Sequence, residues 1–254
     1  MTHFYDHSFA AIYDNHFSGP VTDFARTIRG YFESISEPSE RRLLDLCCGT
    51  GQLAAHFAEH GYQVVGVDAS APMLEIAARR TAEVPGGGAV RLMAADATDF
   101  DVEEPVHLVT CTGDSLNHLP DVAALRKCFS AVRRALAPGG TFVFDVHSMT
   151  GLRMQNFSTV RDMEDLLLVV KITYDPAGRR AVARVTGCRR LDETTRWERF
   201  EQDASITAWP AEEIIAALVE SGFDRAWACR LNDLATPLPD PDRVPRLYFV
   251  ARAT

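Results

Sequence analysis

The stretch LLDLCCGTGQLAAHF, residues 43–57, decides the fold. It begins as a short apolar strand, turns at two glycines one residue apart, and continues with Leu53 and Phe57 at helical spacing. Asp45 lies inside the strand, and Cys47 and Cys48 are adjacent. The stretch is therefore compatible with a metal or redox site, a nucleotide-binding loop, or a tight turn without a ligand.

The flanking sequence repeats the same order of strand and helix. Over residues 41–147, five short apolar strands alternate with amphipathic helices, as in a parallel sheet covered on both faces. Three later strands, 166–174, 180–188 and 197–206, follow one another without helices and predict an antiparallel insertion. We therefore expect an α/β fold with a doubly wound sheet.

The expected organisation is a single domain over residues 1–254. Its parts are a helical cap (1–40), a ligand-binding core (41–147), an antiparallel β insertion after strand five (148–209) and a completion of the core (210–254).

Charge and hydropathy exclude several classes of partner. The formal net charge is -9, which disfavours nucleic acid because binding to phosphate backbones depends on clustered Lys and Arg. The start MTHFYDHSF lacks the basic end and apolar core of a signal peptide, and the longest strongly apolar run, 166–170, is too short to cross a membrane. We expect a cytoplasmic protein without a nucleic-acid or membrane partner.

The six cysteines do not form a metal-binding pattern. None of them makes the C-x-x-C pair of zinc or thioredoxin-like sites. Adjacent residues such as Cys47 and Cys48 rarely bridge, because the short loop strains a disulfide. We therefore expect no metal, and buried thiols in a reducing compartment.

The glycine turn and three carboxylates predict the ligand. Gly49 and Gly51 let the backbone approach a ligand at a helix N-terminus, and GTGQLA also satisfies the dinucleotide pattern G-x-G-x-x-A. Asp68, at the end of strand two, can accept hydrogen bonds from both hydroxyls of a ribose. Asp45 needs a donor or cation inside its strand, and Asp96 can accept from an adenine amino group. A ligand with ammonium, ribose and adenine groups fits, and S-adenosylmethionine has all three.

At these motifs the chain resembles the class I S-adenosylmethionine-dependent methyltransferases. LLDLCCGTG is similar to the family's first motif, Asp68 in VVGVDAS to its second acidic position, Asp96 with Ala97 to its third, and VRRALAPGG to the segment before strand five. The resemblance implies a seven-stranded Rossmann-like sheet whose last strand, 247–251, is antiparallel.

A narrower resemblance is to bacterial small-molecule methyltransferases, notably those that act on amino groups of deoxysugars. It rests on AAIYDNHF, on VTCTGDSLNHL and on the insertion. It implies that Tyr13 closes over the methionine end of the cofactor, that Thr112 lines its pocket and that His118 faces the acceptor. Asp114 and His147 depart from the usual residues of those relatives.

Two sets of site residues follow from the motifs and the resemblance. The predicted catalytic residues are His118 and His147. The predicted cofactor-binding residues are Tyr13, Asp45, Cys47, Gly49, Thr50, Gly51, Asp68, Ala69, Met73, Asp96, Ala97 and Thr112.

The expected function is methyl transfer from S-adenosylmethionine to a nitrogen or oxygen of a small-molecule acceptor in bacterial specialised metabolism. The oligomeric state is open, and a homodimer is one alternative. The rival functions are an S-adenosylmethionine-binding protein with other chemistry or no catalysis, and a nicotinamide-dependent oxidoreductase. Asp45 weighs against the nicotinamide enzyme, because the corresponding strand of a dinucleotide site is normally apolar.

Overall fold

The computed structural model describes residues 7–16, 21–37, 39–191 and 195–253. The predictions for residues 1–6, 17–20 and 38 of the cap, for 192–194 of the insertion and for residue 254 lie outside the described residues.

Helices and strands alternate through much of the first half of the chain, as expected, but the described residues between the strand that ends at Ala94 and the strand that begins at Val106 form no helix. The helices are α1 His7–His16, α2 Val21–Ile35, α3 Gln52–Glu59, α4 Ala71–Thr81, α5 Val122–Ala135, α6 Met149–Met154 and α7 Ala211–Glu220, with short 3-10 helices at Ser115–His118 and Pro241–Arg243. The strands are β1 Arg42–Leu46, β2 Gln63–Asp68, β3 Ala89–Ala94, β4 Val106–Cys111, β5 Leu136–His147, β6 Ser158–Asp162, β7 Leu166–Asp175, β8 Arg180–Arg190, β9 Trp197–Thr207, β10 Arg225–Cys229 and β11 Arg246–Arg252.

The main sheet has seven strands in the order β10-β11-β5-β4-β1-β2-β3. The strands β1 to β5 pair in parallel, whereas β11 pairs antiparallel with both β5 and β10. The predicted sheet with an antiparallel last strand is therefore confirmed. The strand order reverses beside β1, so the turn after β1 opens at the position where sheets of this kind bind ligands.

Successive residues of β1 enter opposite cores, which explains its apolar character. Leu43 packs with Phe32 of α2 and Phe57 of α3 on one face. Leu44 packs on the other face with a core that includes Phe129 of α5. Both leucines are fully buried, and burial of such a side chain contributes roughly 1.5–3 kcal/mol. Helices thus cover both faces, and the carboxyl end of β1 is held rigidly.

The insertion is a separate antiparallel sheet in the order β6-β7-β8-β9. The turn between β7 and β8 is closed by Asp175, whose carboxylate accepts from the backbone N–H groups of Ala177 and Gly178. One face of this sheet packs against α6, and another part of it packs against Phe9 and Ile12 of α1. The insertion therefore connects the cap to the end of β5.

Several element boundaries differ from the sequence prediction. Residues 138–140 were expected to end α5, but α5 ends at Ala135 and β5 begins at Leu136, because buried Leu136 pairs with Val106. The third strand was expected to reach Asp96 but ends at Ala94. Within the described ranges, no helix is long and apolar enough to cross a membrane.

Candidate active site

A cavity of about 270 Å³ lies at the carboxyl ends of the central strands. A smaller cavity of about 30 Å³ adjoins it, and the two share Tyr13, Cys47, Gly49 and Gly113. The predicted residues at the large cavity are Tyr13, Cys47, Gly49, Asp68, Ala69, Met73, Asp96, Ala97 and His118. Those that line the small cavity alone are Asp45, Thr50 and Thr112. The structure thus brings together all the predicted site residues except Gly51 and His147.

Asp68 connects the end of β2 to the glycine turn. Its Oδ2 accepts from the N–H of Gly49 at 2.8 Å and its Oδ1 from the N–H of Ser70 at 2.8 Å. Burial raises the pKa of Asp68, and the hydrogen bonds from Ser70 and Gly49 oppose this shift. Each carboxylate oxygen has a second lone pair, so the group can still accept two hydroxyls from the cavity.

Gly51 serves helix packing rather than the cavity wall, which differs from the prediction. It has φ +78°, and a Cβ at this position would lie 2.9 Å from Cβ of Ala77 in α4. Thr50 lies between the glycines, and its carbonyl accepts from Nε of Arg80 at 2.9 Å. The Arg80 guanidinium also pairs with Asp14 of α1 at 2.5 Å. These contacts fix the glycine turn against α4 and the cap.

Asp45 is a buried carboxylate with an incomplete set of partners. Its side chain is 2% exposed, and Oδ1 accepts from the Thr110 hydroxyl at 3.0 Å. Over the described ranges, Oδ2 has no hydrogen-bond partner. Burial raises the pKa of Asp45 to about 7, and the hydrogen bonds from the Thr110 hydroxyl and the Ala54 backbone oppose this shift. A buried carboxylate oxygen without a donor is costly, so the small cavity suits a cationic group.

Tyr13 lies across the two cavities from the cap. A carbon of the Tyr13 ring lies 3.9 Å from the position that a Cβ would take at Gly49. The Tyr13 hydroxyl lies 3.8 Å from the corresponding position at Gly113. Burial and the charge of Asp114 raise the pKa of Tyr13 to about 12, so the hydroxyl stays protonated. Tyr13 therefore covers the glycine turn and the start of the next loop with a hydrogen-bond donor.

The far end of the large cavity is more open and less polar. Met73 is buried there, whereas Ala69 and Asp96 are exposed at its margin and Ala97 is half-buried. The Asp96 Oδ1 accepts from both the N–H and the hydroxyl of Thr98, at 2.8 and 2.6 Å. This turn orients the Asp96 carboxylate beside an apolar surface on which a flat ring can pack.

The loop Thr112–Leu119, which we call the acceptor loop, forms the opposite wall. Asn117 is fully buried, and its amide nitrogen donates to the carbonyls of His147 and Thr207 at 3.0 and 2.8 Å. The His118 Nδ1 lies 3.2 Å from the carbonyl of Ser205 in β9. A carbonyl only accepts, so Nδ1 carries the proton and Nε2 is the acceptor nitrogen of the neutral ring. The insertion thus sets the orientation of His118 at the cavity.

A cluster behind the acceptor loop was not predicted. Asp145 of β5 is fully buried, and its carboxylate accepts from the N–H groups of Gly113 and Asp114 at 2.8 and 3.1 Å. Arg246 of β11 donates from Nε to Asp145 and from Nη2 to Asp114, both at 2.7 Å. Asp145 and Arg246 are 101 residues apart, so only the pairing of β5 with β11 reveals the cluster.

His147 borders this cluster and does not line either cavity, which differs from its predicted position. Its Nε2 lies 3.8 Å from Oδ1 of Asp114 and 3.4 Å from the side-chain amide nitrogen of Gln155. Because β5 extends to His147 and α6 follows at once, the side chain turns toward the base of the acceptor loop.

A second group of polar side chains lies at the far end of α3. His56, Glu59 and His60 bring potential metal-ligating atoms within 4.8 Å of one another. The Arg29 guanidinium donates to Nε2 of His56 at 3.4 Å, and Arg41 donates to the carbonyl of His60. Burial and the neighbouring cations lower the pKa of His56 to about 4. These cations disfavour a metal ion, and the absence of a metal remains a prediction.

Comparisons with known proteins agree with this geometry. A family model described as "Methyltransferase domain" matches residues 43–140. The chain is 33% identical over 217 residues to "Putative methyltransferase YqeM" of Bacillus subtilis (strain 168), covering 85% of each protein. It is 33% identical over 186 residues to the dTDP-4-amino-2,3,4,6-tetradeoxy-D-glucose N,N-dimethyltransferase of Saccharopolyspora spinosa, covering 73% of this chain and 72% of the relative.

A solved structure gives the same result. CalS10, an amino pentose methyltransferase from Micromonospora echinaspora solved with S-adenosylmethionine bound, matches with a TM-score of 0.74 and 25% identity over 100% of both chains. The partnerless oxygen of Asp45 and the two accepting oxygens of Asp68 fit the ammonium and ribose of that cofactor. The similarity separates this protein from nicotinamide-dependent oxidoreductases. The chain belongs to the class I S-adenosylmethionine-dependent methyltransferases and is similar to their deoxysugar N-methyltransferases.

Proposed function

We propose that this enzyme methylates an amino nitrogen of a small sugar-like acceptor in bacterial specialised metabolism. The position of His118, on the cavity wall with Nδ1 directed at the Ser205 carbonyl, supports methylation of a small acceptor in the cavity, and the choice of nitrogen rests on the relatives. Two of the similar proteins named above are methyltransferases of amino sugars. We also propose that the enzyme is cytoplasmic. That it forms a homodimer remains a prediction.

The cofactor is assigned to the two adjoining cavities. Asp45 would receive the ammonium in the small cavity, and Asp68 the ribose hydroxyls in the large one. Asp96 and Ala97, with Met73 and Ala69, would hold the adenine ring. Tyr13, Cys47, Gly49, Thr50 and Thr112 would surround the methionine end.

The bound cofactor supplies an electrophilic methyl group on a positively charged sulfur. The chain's own part would be to align the acceptor nitrogen with that methyl group and to exclude water. Tyr13 excludes water from above the glycine turn. His118 presents Nε2 as a proton acceptor, which suits removal of the proton from an ammonium acceptor or from the methylated amine.

The test is a paired acceptor assay. The purified enzyme is incubated with S-adenosylmethionine and dTDP-4-amino-2,3,4,6-tetradeoxy-D-glucose, or with the matched sugar that carries a hydroxyl in place of the amine. We expect release of S-adenosylhomocysteine and a methylated product only with the amine. Turnover of the hydroxyl sugar alone would instead assign an oxygen acceptor, for which His118 is equally placed as a base.

Product analysis also separates the rival functions. If S-adenosylhomocysteine binds but neither sugar nor a wider panel of small amines and phenols gains a methyl group, the chain is a cofactor-binding protein or performs another reaction. A product that is changed but carries no added methyl would identify that other reaction.

A further inference from the structure

The acceptor loop begins in an unusual backbone conformation. Gly113 has φ +81° and Asp114, which has a side chain, has φ +54°. Left-handed backbone is uncommon outside glycine and persists where the surroundings hold it in place. This turn immediately precedes the 3-10 helix Ser115–His118, so its geometry determines where the His118 side chain lies.

Three side chains hold this turn from behind. The Asp145 carboxylate accepts hydrogen bonds from the N–H groups of Gly113 and Asp114. The Arg246 guanidinium donates to the carboxylates of both Asp145 and Asp114. The group acts as a unit, because each charge in it has an opposite charge within hydrogen-bond distance. We call Asp114, Asp145 and Arg246 the loop clamp.

Arg246 also contacts the cap. Its guanidinium lies 5.7 Å from the centroid of the Phe24 ring in α2, and Phe24 packs edge-on against Tyr248 at 6.0 Å. A cation over an aromatic face is attracted to it. Arg246 therefore fixes the acceptor loop relative to both the end of β5 and the cap.

The clamp residues do not line either cavity, whereas Ser115, Leu116, His118 and Leu119, which the clamp supports, line the larger one. The cofactor residues Asp45 and Asp68 belong to β1 and β2 and share no hydrogen bond with the clamp. The clamp can thus affect the position of the acceptor more than the binding of the cofactor, which it reaches through Gly113, a residue that lines both cavities.

We propose that Arg246, Asp145 and Asp114 are positioning residues for methyl transfer, which set the acceptor loop and His118 and affect turnover more than cofactor affinity. The role of His118 in this inference rests on the proposed function. The claim that the clamp holds the loop does not rest on the proposed function, because it follows from the hydrogen bonds of the clamp.

The test compares Arg246→Leu and Asp145→Asn with the control Arg243→Leu. Arg243 is exposed and pairs only locally with Asp240, three residues earlier. In both clamp variants we expect the amides of Gly113 and Asp114 to exchange hydrogen at least about tenfold faster, with the rest of the main sheet unchanged. We expect the Kd of S-adenosylhomocysteine to rise by less than about threefold, because Gly113 lines the small cavity but Asp45 and Asp68 keep their hydrogen-bond partners. The control should match the wild type in both measurements.

A conservative substitution of Arg246 should have an intermediate effect on hydrogen exchange. Arg246→Lys keeps the charge but cannot bridge two carboxylates with a planar fork, so its exchange rates should fall between those of the wild type and Arg246→Leu. If Arg246→Leu does not fold, Asp114→Asn tests the inference, because it weakens one contact and retains the Asp145–Arg246 pair. With an active acceptor, kcat should fall about tenfold or more and the KM for the cofactor should change less than kcat does.

Three results would overturn the inference. They are unchanged exchange of the Gly113 and Asp114 amides, an equal acceleration throughout the sheet, and a rise in the S-adenosylhomocysteine Kd as large as the fall in turnover. Exchange and cofactor binding need no acceptor, so a failure of the amino-sugar assay contradicts the proposed function and leaves the clamp to be decided by its own measurements.

Discussion

The buried carboxylate of Asp45 predicts that cofactor affinity depends on pH. Its pKa is about 7, because burial disfavours the charged form. If the cofactor ammonium pairs with the ionised carboxylate, binding below pH 7 must first remove a proton. At pH 5 only about one carboxylate in a hundred is ionised, which corresponds to about a hundredfold loss of affinity, or roughly 2.7 kcal/mol.

Calorimetric titration of S-adenosylhomocysteine from pH 5 to 7.5 measures this loss, and buffers of different ionisation enthalpy count the protons released. Asp45→Asn should bind more weakly at pH 7.5 and show little further loss toward pH 5, so that the two proteins converge. Asp68 also has a raised pKa, and the variant separates the two groups. Equal affinity of the wild-type protein at both pH values, or an unchanged pH slope in Asp45→Asn, would refute the reasoning.

The same carboxylate has the opposite effect on the stability of the ligand-free protein. The folded pKa of Asp45 is about 7 and the unfolded value is 3.8, so the folded state retains a proton that the unfolded chain releases between these values. This group therefore lowers stability as pH rises from about 4 to 7, by about 4 kcal/mol at the upper end. Denaturant unfolding at pH 8 should find Asp45→Asn more stable than the wild type, whereas a less stable variant contradicts this account.

Three further predictions concern individual residues. Asp68→Ala should abolish calorimetric binding of S-adenosylhomocysteine while circular dichroism shows an intact fold, and wild-type affinity would reject the ribose assignment. Gly51→Ala should lower the free energy of unfolding by roughly 2 kcal/mol more than Gly87→Ala, because both have positive φ but only Gly51 meets Ala77 at 2.9 Å; urea titration compares them. His118→Ala should reduce the methyl-transfer rate more than it raises the cofactor Kd, and equal values to the wild type would make His118 structural.

The main sheet could be predicted because its signals are local. The apolar strand, the glycine turn and the helical spacing all lie within residues 43–57, and the short apolar strand recurs in the segments that follow. By contrast, β6 was missed because its five residues are all exposed and show no alternation of apolar and polar side chains. The short helix α6 was missed too, since six residues are too few for a periodic signal.

The positions of the three aspartates at the cavities could be predicted for the same reason, and the cluster behind the acceptor loop could not. Asp45, Asp68 and Asp96 follow local strand signals, whereas Arg246 meets Asp114 across 132 residues of chain. His147 was expected at the cavity because it ends a strand, but the direction of its side chain depends on α6 and the acceptor loop. Such positions are set by packing between distant segments, which spacing in one sequence does not encode.

Two buried aspartates illustrate how structure separates a binding role from a positioning role. Asp45 and Asp145 each lie inside a strand of the main sheet, and burial raises the pKa of both. The Asp145 carboxylate has two backbone donors and a guanidinium. Asp45 is stabilised by the Thr110 hydroxyl and the Ala54 backbone, and its Oδ2 has no hydrogen-bond partner among the described residues. A buried carboxylate is costly unless all its oxygens have donors or a cation nearby. The protein supplies all the partners of Asp145, whereas the ligand would supply the last partner of Asp45. Removal of Arg246 should therefore destabilise the free protein, whereas neutralisation of Asp45 should stabilise it and weaken binding.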